Sequence, residues 1–200
     1  GFIPDSKYYN RYYRKGGWKA TTVISLSIGQ GEIGCTPLHL ANLCATIANR
    51  GFYYTPHIIK DSEHVTIDPK YKERHYTMVD TTHFPKVVGG MYRAVNSGFG
   101  SGGTASIAAV EGLDICGKTG TAQNPHGHDH SVFICFAPRD NPKIAVAANV
   151  ENGGFGASYA APIASLLTEM YLNGEIGDDR KALEKRMLDA NLLDRVRVKK

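Results

Sequence analysis

The run Lys118-Thr119-Gly120-Thr121 places one amine, two hydroxyls and a residue with no side chain next to one another. On an extended strand alternate side chains face the same way. Lys118 and Gly120 then face opposite to Thr119 and Thr121, so local twist beside a cleft must help the amine and the hydroxyls reach one ligand. A cation beside hydroxyl donors suits a bound carboxylate and a developing oxyanion. Gly120 lets a substrate backbone come close. Three letters, Lys-Thr-Gly, are a weak pattern by themselves, and an exposed strand end with a solvated lysine is the plain alternative.

The same stretch completes a second pattern, G-x-x-x-x-G-K-[ST], from Gly112 to Thr119. A phosphate-binding loop follows a strand and opens directly into a helix. Here the four middle residues read as the body of a strand, and Gly120-Thr-Ala-Gln-Asn-Pro125 is a poor helix start. No acidic residue at the end of a preceding strand offers itself for magnesium, so a nucleotide-hydrolysing reading is set aside. His126, His128 and His130 with Asp129 could share a strand face and suit zinc. An exposed polar loop between two strands is the better reading, and no metal and no cofactor are expected. The four cysteines, Cys35, Cys44, Cys116 and Cys135, form no Cys-x-x-Cys pair. Cys44 and Cys135 lie in apolar runs and read as small buried hydrophobes.

These groups need elements to hold them. Residues 1–20 read as loop with one short turn of helix, and Thr21 to Ile28 as a short apolar stretch. Gly29-Gln-Gly-Glu-Ile-Gly34 breaks regular structure. Thr36 is a good N-cap and Pro37 a good first-turn residue, so a helix is predicted from there to Ala48, with Asn49-Arg50-Gly51 as its stop. Phe52 to Ile59 reads as extended, residues 60–81 as a polar excursion with short strands, and Phe84 to Val95 as a second helix. Ser97 to Gly103 is a glycine turn or loop, followed by a short helix, Thr104 to Val110, capped by Thr104. Strands are expected at Leu113–Thr121, Val132–Ala137 and Ile144–Val150, the last two joined across Pro138-Arg-Asp-Asn-Pro142. Glu151 to Gly156 is another glycine loop, and Ala160 to Leu172 a third helix. A charged tail follows, with Leu183, Met187, Leu188, Leu192 and Leu193 expected on one side and packed on the same chain. Three strands and then a helix, with earlier helices covering one sheet face, define an α+β layer arrangement.

Composition narrows the function classes. The chain has 200 residues, 42% hydrophobic and 21% charged, with a formal net charge of +4. That suits one domain with a real core. No strong basic stripe stands out, and the basic residues after Arg180 alternate with acids, so nucleic acid is not an expected partner. No run approaches the ~18 apolar residues of a membrane span. The first residues, Gly-Phe-Ile-Pro-Asp, are no signal peptide.

Several segments carry a family resemblance. Lys118-Thr-Gly-Thr-Ala-Gln123 resembles the third signature of the serine penicillin-recognising enzymes, whose set includes S-x-x-K and an S-D-N type triplet. Leu26 to Leu40 resembles the segment before a core helix of class B penicillin-binding proteins, and Ala45 to Gly51 with Pro56-His57 continues it. Gly102-Gly-Thr-Ala105, Phe133 to Pro138 and Val150-Glu-Asn-Gly-Gly154 follow in family order. The last is most like the elongation-type, penicillin-binding protein 2 group. The resemblance covers roughly residues 20–172. It implies the C-terminal portion of the serine β-lactamase/penicillin-binding transpeptidase fold: three of five antiparallel strands covered by helices, over 1–174, with 175–200 a charged amphipathic helical tail.

The resemblance also implies an activity, the D,D-transpeptidation that cross-links peptidoglycan stem peptides through a serine acyl-enzyme, which β-lactam antibiotics intercept. Lys118 would supply positive charge and help manage protons. Thr119, Gly120 and Thr121 would bind the substrate or drug, with Thr121 also giving one backbone oxyanion donor. Gln123 would sit near the acceptor side. No S-x-x-K and no S-x-N occurs in these residues. The chain is therefore expected to be a fragment, inactive alone, whose upstream part carries both motifs. The implied setting is the periplasmic face of the bacterial inner membrane, with an N-terminal anchor outside this chain and a membrane glycosyltransferase of the elongation machinery as partner. A non-catalytic sensor or binding module of the same fold is the alternative.

Overall fold

The structure is a computed structural model that describes residues 1–14, 16–98 and 100–193. Two short helices open the chain, where mostly loop was expected. Helix α1 spans Ser6–Tyr12, with the Asp5 carboxylate accepting from the Tyr8 N–H at its start. Helix α2 spans Ala20–Ser27. The aromatic spacing of α1 is what holds it. Tyr8 and Tyr12 pack with tilted rings one turn apart, and Tyr9 packs on Tyr13 and on Trp18.

Helix α3, Pro37–Ala48, begins where predicted. The Thr36 hydroxyl accepts from the His39 N–H, and Pro37 occupies the first turn, where its missing N–H costs nothing. Of the extended stretch that follows, only β1, Phe52–Tyr53, pairs, with β2, His75–Tyr76. Between them the excursion holds one isolated bridge and one 3₁₀ turn. Helix α4 is Phe84–Asn96 and buries Phe84, Val88, Met91 and Val95. That 3–4 spacing is the stripe a helix needs to lie on a sheet.

The main sheet has the order β3 (Cys116–Ala122), β4 (His130–Ala137), β5 (Ile144–Val150), antiparallel throughout. Cys116 lies opposite Phe136 and Ala122 opposite His130, while Ser131 lies opposite Val150 and Ala137 opposite Ile144. β3 starts later than Leu113. Asp114 adopts φ 44°, which ends any extension from the preceding turn. Alternation along β4 splits the core in two. Phe133, Cys135 and Ala137 pack against Ala160, Ala161 and Ala164 of α5 (Ala160–Asn173). Phe136 and Cys116 pack on the other face against Cys44 and Ala48 of α3 and Val88 and Met91 of α4. The fold is thus α+β, a three-stranded antiparallel sheet between helical layers.

Two smaller expectations are corrected. No helix runs from Thr104 to Val110. Only a 3₁₀ turn forms at Ser106–Ala108, and Thr104 does not cap it. Its hydroxyl engages Thr119 instead. In the tail, α6 spans Lys181–Leu188, with Leu183 and Met187 half-buried and Leu188 and Leu193 exposed. Leu188 falls one residue past the i, i+4 pair, on a different side of the helix. The tail does dock on the same chain. Buried Arg180 ion-pairs with buried Glu169 of α5 at 2.8 Å and donates to the Ser165 hydroxyl and to the Ala109 carbonyl. Residues 194–200 of the expected tail lie outside the described residues. Among the described residues no helix is long and apolar enough to cross a membrane.

Candidate active site on the free edge of the sheet

Among the described residues β3 pairs as a strand with β4 alone, so its other edge is open to ligands or to other parts of a protein. Which residues face that edge follows from one contact. The Gln30 amide Nε2 donates to the Thr121 carbonyl at 2.9 Å. In an antiparallel strand the N–H and C=O of one residue point the same way, and the direction alternates. Thr119, Thr121 and Gln123 therefore present their backbone groups to the free edge, while Lys118, Gly120 and Ala122 pair with β4. The Gln123 N–H confirms the phase by donating to Gln30 Oε1 at 3.3 Å.

The side chains converge on this edge from both faces. Lys118 is exposed, and its Nζ donates to the Thr119 carbonyl at 2.7 Å. The long stem curls around the edge, which is how the amine escapes the strand alternation that sets it against the threonines. From the other face, the Thr119 hydroxyl donates to that of Thr104 at 3.4 Å, a long bond. An amine, a hydroxyl and the Thr121 N–H are thus offered together to anything laid along the edge. Such a set can hold an anion and stabilise an oxyanion.

Missing side chains shape the rest. A Cβ on Gly120 would sit 3.3 Å from the Val132 Cβ, so the strand is already tight there. At Gly117 a Cβ would collide with the Phe133 ring, which fills that space. Gly156 brings the 151–159 loop onto the strand, where a Cβ would lie 2.7 Å from the Gly120 carbonyl oxygen and 2.9 Å from the Thr119 Cβ. A cavity of about 540 Å³ opens between the 28–40 segment and the sheet, lined by Gln30, Ile33, Leu40, Gly120, Thr121 and Val132. Lys118 and Thr119 lie outside its lining. Gln123 is exposed and lines a second cavity of about 730 Å³ with Gln30, Glu32 and Asp129.

The loop bearing Gln30 is tied down from α1. Tyr9 and Tyr13 donate to the two carboxylate oxygens of Glu32 at 2.8 and 2.9 Å. Those hydroxyls hold the Glu32 carboxyl below the usual carboxylate range. Burial, and then the Glu32 contact, push the Tyr9 phenol up to about 12.

The histidine loop is knitted by amides. Asn124 donates to the His128 carbonyl and to Asn152, and the His130 Nδ1 accepts from the Asn152 N–H. Among the described residues no three His, Cys, Asp or Glu side chains converge on a metal position. Cys44, Cys116 and Cys135 are buried and Cys35 is exposed, and all four are free thiols. Burial raises the Cys116 and Cys135 thiols to about 12. Sequence reasoning missed Gln30, Thr104 and Gly156 as parts of the site. The glycines flanking Gln30 signalled a loop but not its contact with a strand 91 residues away.

The fold and the strand edge define an α+β protein whose Lys-Thr-Gly strand lies at an edge of the main sheet. The chain belongs to the penicillin-binding protein transpeptidase domain family, which it matches over residues 8–169, and within it to the class B, elongation-type penicillin-binding protein 2 group. It is 35% identical over 192 residues to the peptidoglycan D,D-transpeptidase MrdA of Haemophilus influenzae, covering 86% of this chain and 29% of that protein. Penicillin-binding protein 2 of Pseudomonas aeruginosa, solved with WCK 5153, superposes with a TM-score of 0.70 at 30% identity, over 90% of this chain and 40% of the other. Penicillin-binding protein A of Mycobacterium tuberculosis, solved as an imipenem acyl-enzyme, gives a TM-score of 0.59 at 34% identity, over 73% of this chain and 33% of the other. The chain thus spans about 30% of the curated relative's length.

Proposed function

We propose that these residues form the Lys-Thr-Gly wall of a serine D,D-transpeptidase that cross-links peptidoglycan stem peptides and is a target of β-lactams. The observation that carries the reading is the free edge of β3, along which the Lys118 amine and the backbone groups of Thr119 and Thr121 are presented in a chain of this family. Residues 1–174 are read as the C-terminal portion of the transpeptidase domain and 175–200 as its tail.

The nucleophile would be a serine of an S-x-x-K motif supplied by other residues of the same protein, together with an S-x-N triplet, since this sequence holds neither. Its Oγ would attack the penultimate D-alanine carbonyl, D-alanine would leave, and an amine on a second stem would resolve the acyl-enzyme. Lys118 would offset the negative charge of the substrate and help move protons near the triplet. Thr119 and Thr121 would bind the terminal carboxylate, and Gly120 would let the substrate backbone lie close. The Thr121 N–H would form half of the oxyanion hole with the nucleophile's own N–H. Loss of one such donor costs about 3–4 kcal/mol at the transition state. Gln123, exposed beyond Thr121, is assigned to the acceptor side.

The working place of such a protein is the periplasmic face of the inner membrane, held by an N-terminal anchor, beside a membrane glycosyltransferase of the elongation machinery. The test is labelling of the full-length protein with a fluorescent penicillin. The reading expects stable labelling that disappears when the motif serine is replaced, and no labelling of residues 1–200 alone. A full-length protein that binds penicillin reversibly but is never acylated would make this a binding module instead.

A further inference from the structure

The Gln30 carboxamide stands where an added strand would pair. A primary amide offers one acceptor and two donors, the same groups as a peptide unit. Gln30 uses them as a peptide would, donating to the Thr121 carbonyl at 2.9 Å and accepting from the Gln123 N–H at 3.3 Å. We propose that Gln30 is a positioning residue for acyl transfer, closing the free edge of β3 beyond Thr121 and fixing the strand plane that aims the Thr121 N–H. The inference rests on the transpeptidase reading and deepens it.

Three features support the assignment. An extended ligand that joins β3 by strand addition finds the Thr119 and Thr121 N–H groups on the open edge, with the Thr119 carbonyl held by Lys118 Nζ at 2.7 Å. One step further the edge is filled, so Gln30 marks the end of the open stretch. Gln30 also lines both cavities, the one of about 540 Å³ against the sheet and the one of about 730 Å³ beyond the strand end. With Gly29, Ile33 and Ala122 it forms the boundary that the two cavities share. Finally, the loop is built to present it. Gly29 and Gly31 both sit at φ 77°, a conformation that glycine adopts without strain. The neighbouring Glu32 is gripped by Tyr9 and Tyr13.

The test uses the full-length protein and a fluorescent penicillin, with labelling followed over time at several concentrations to separate the binding constant from the acylation rate. Gln30→Ala is expected to lower the acylation rate about tenfold, as a small misplacement of a reacting group does. Its binding constant should stay within about twofold of wild type, the split expected for an interaction used in the transition state. Gln30→Glu supplies a second readout. Its carboxylate turns a lone pair toward the Thr121 carbonyl, and protonation restores a donor. Its acylation rate relative to wild type should therefore rise as the pH is lowered from 7 toward about 5. A labelling wild type with Gln30→Ala within about twofold in rate overturns the proposal alone. So does a Gln30→Glu ratio that stays flat with pH, which marks a merely structural loss. A wild-type protein that is never acylated overturns the transpeptidase reading and this inference together.

Discussion

Lys118 and Thr119 belong to opposite faces of a strand yet serve one edge, because the lysine stem is long enough to wrap it. In the proposed reaction this amine is the main positive charge beside the substrate carboxylate. Lys118→Ala in the full-length protein is expected to lower penicillin acylation about 100-fold, the scale of losing an electrostatic contact in a dry site. Acylation kinetics check it. Gly117 has a different task. Its bare Cα admits the Phe133 ring, so Gly117→Ala overpacks the core and should destabilise the fold by about 1–3 kcal/mol, read from denaturant unfolding. Glu32 offers a pH test. Its carboxyl is held low by two tyrosine hydroxyls, so the linked stability is present above the unfolded value of about 4.3 and is lost as pH falls through the lowered one. Tyr9 has the opposite sign, with its contribution present below about 10 and lost as pH rises through about 12. Trp18 is the only tryptophan and packs on Tyr9 with ring centres 5.6 Å apart, so its fluorescence reports this cluster. An acid transition in that signal that disappears in Glu32→Gln is the expected outcome.

Between elements, the buried Arg180–Glu169 pair joins the tail to α5. Through the Ala109 carbonyl it also reaches the segment that carries Thr104 to the site. Removing one partner strands a buried charge. Arg180→Met should therefore cost about 3–5 kcal/mol, and adding Glu169→Leu should recover most of it. Thermal unfolding of the wild type and the two variants measures this. The elements differ in how plainly the sequence announces them. α3 and α4 show both a cap or proline start and an apolar stripe, and the two β-branched runs of β4 and β5 flank a proline-bounded connection. Those signals are local, and the structure keeps them. α1 is carried by ring–ring contacts and by Glu32, which is distant in sequence, so its periodicity looked poor. β3 begins three residues after Leu113, where the apolar pattern starts, because Asp114 takes a left-handed backbone. Thr104 resembles a helix cap in isolation, but its hydroxyl is drawn to Thr119 instead. Of the site, the Lys-Thr-Gly strand was legible because its chemistry lies in consecutive residues. Gln30 and Gly156 were not, because their contacts form only when the loops fold back.

At the scale of the whole molecule, the sheet ends in two edges. The β3 edge holds the groups proposed to act on substrate, and in the proposed reaction the nucleophile approaches it from residues outside this sequence. Residues 1–200 alone are accordingly expected to take no covalent penicillin label under conditions that label the full-length protein, as a gel assay would show. The most direct measurement is a crystal structure of the full-length protein acylated by a penicillin. The account predicts the acyl carbonyl oxygen about 3 Å from the Thr121 backbone nitrogen, with the drug carboxylate at the Thr119 hydroxyl and Lys118 beside it. An acyl group seated away from β3, with this edge empty or covered by protein, would contradict it.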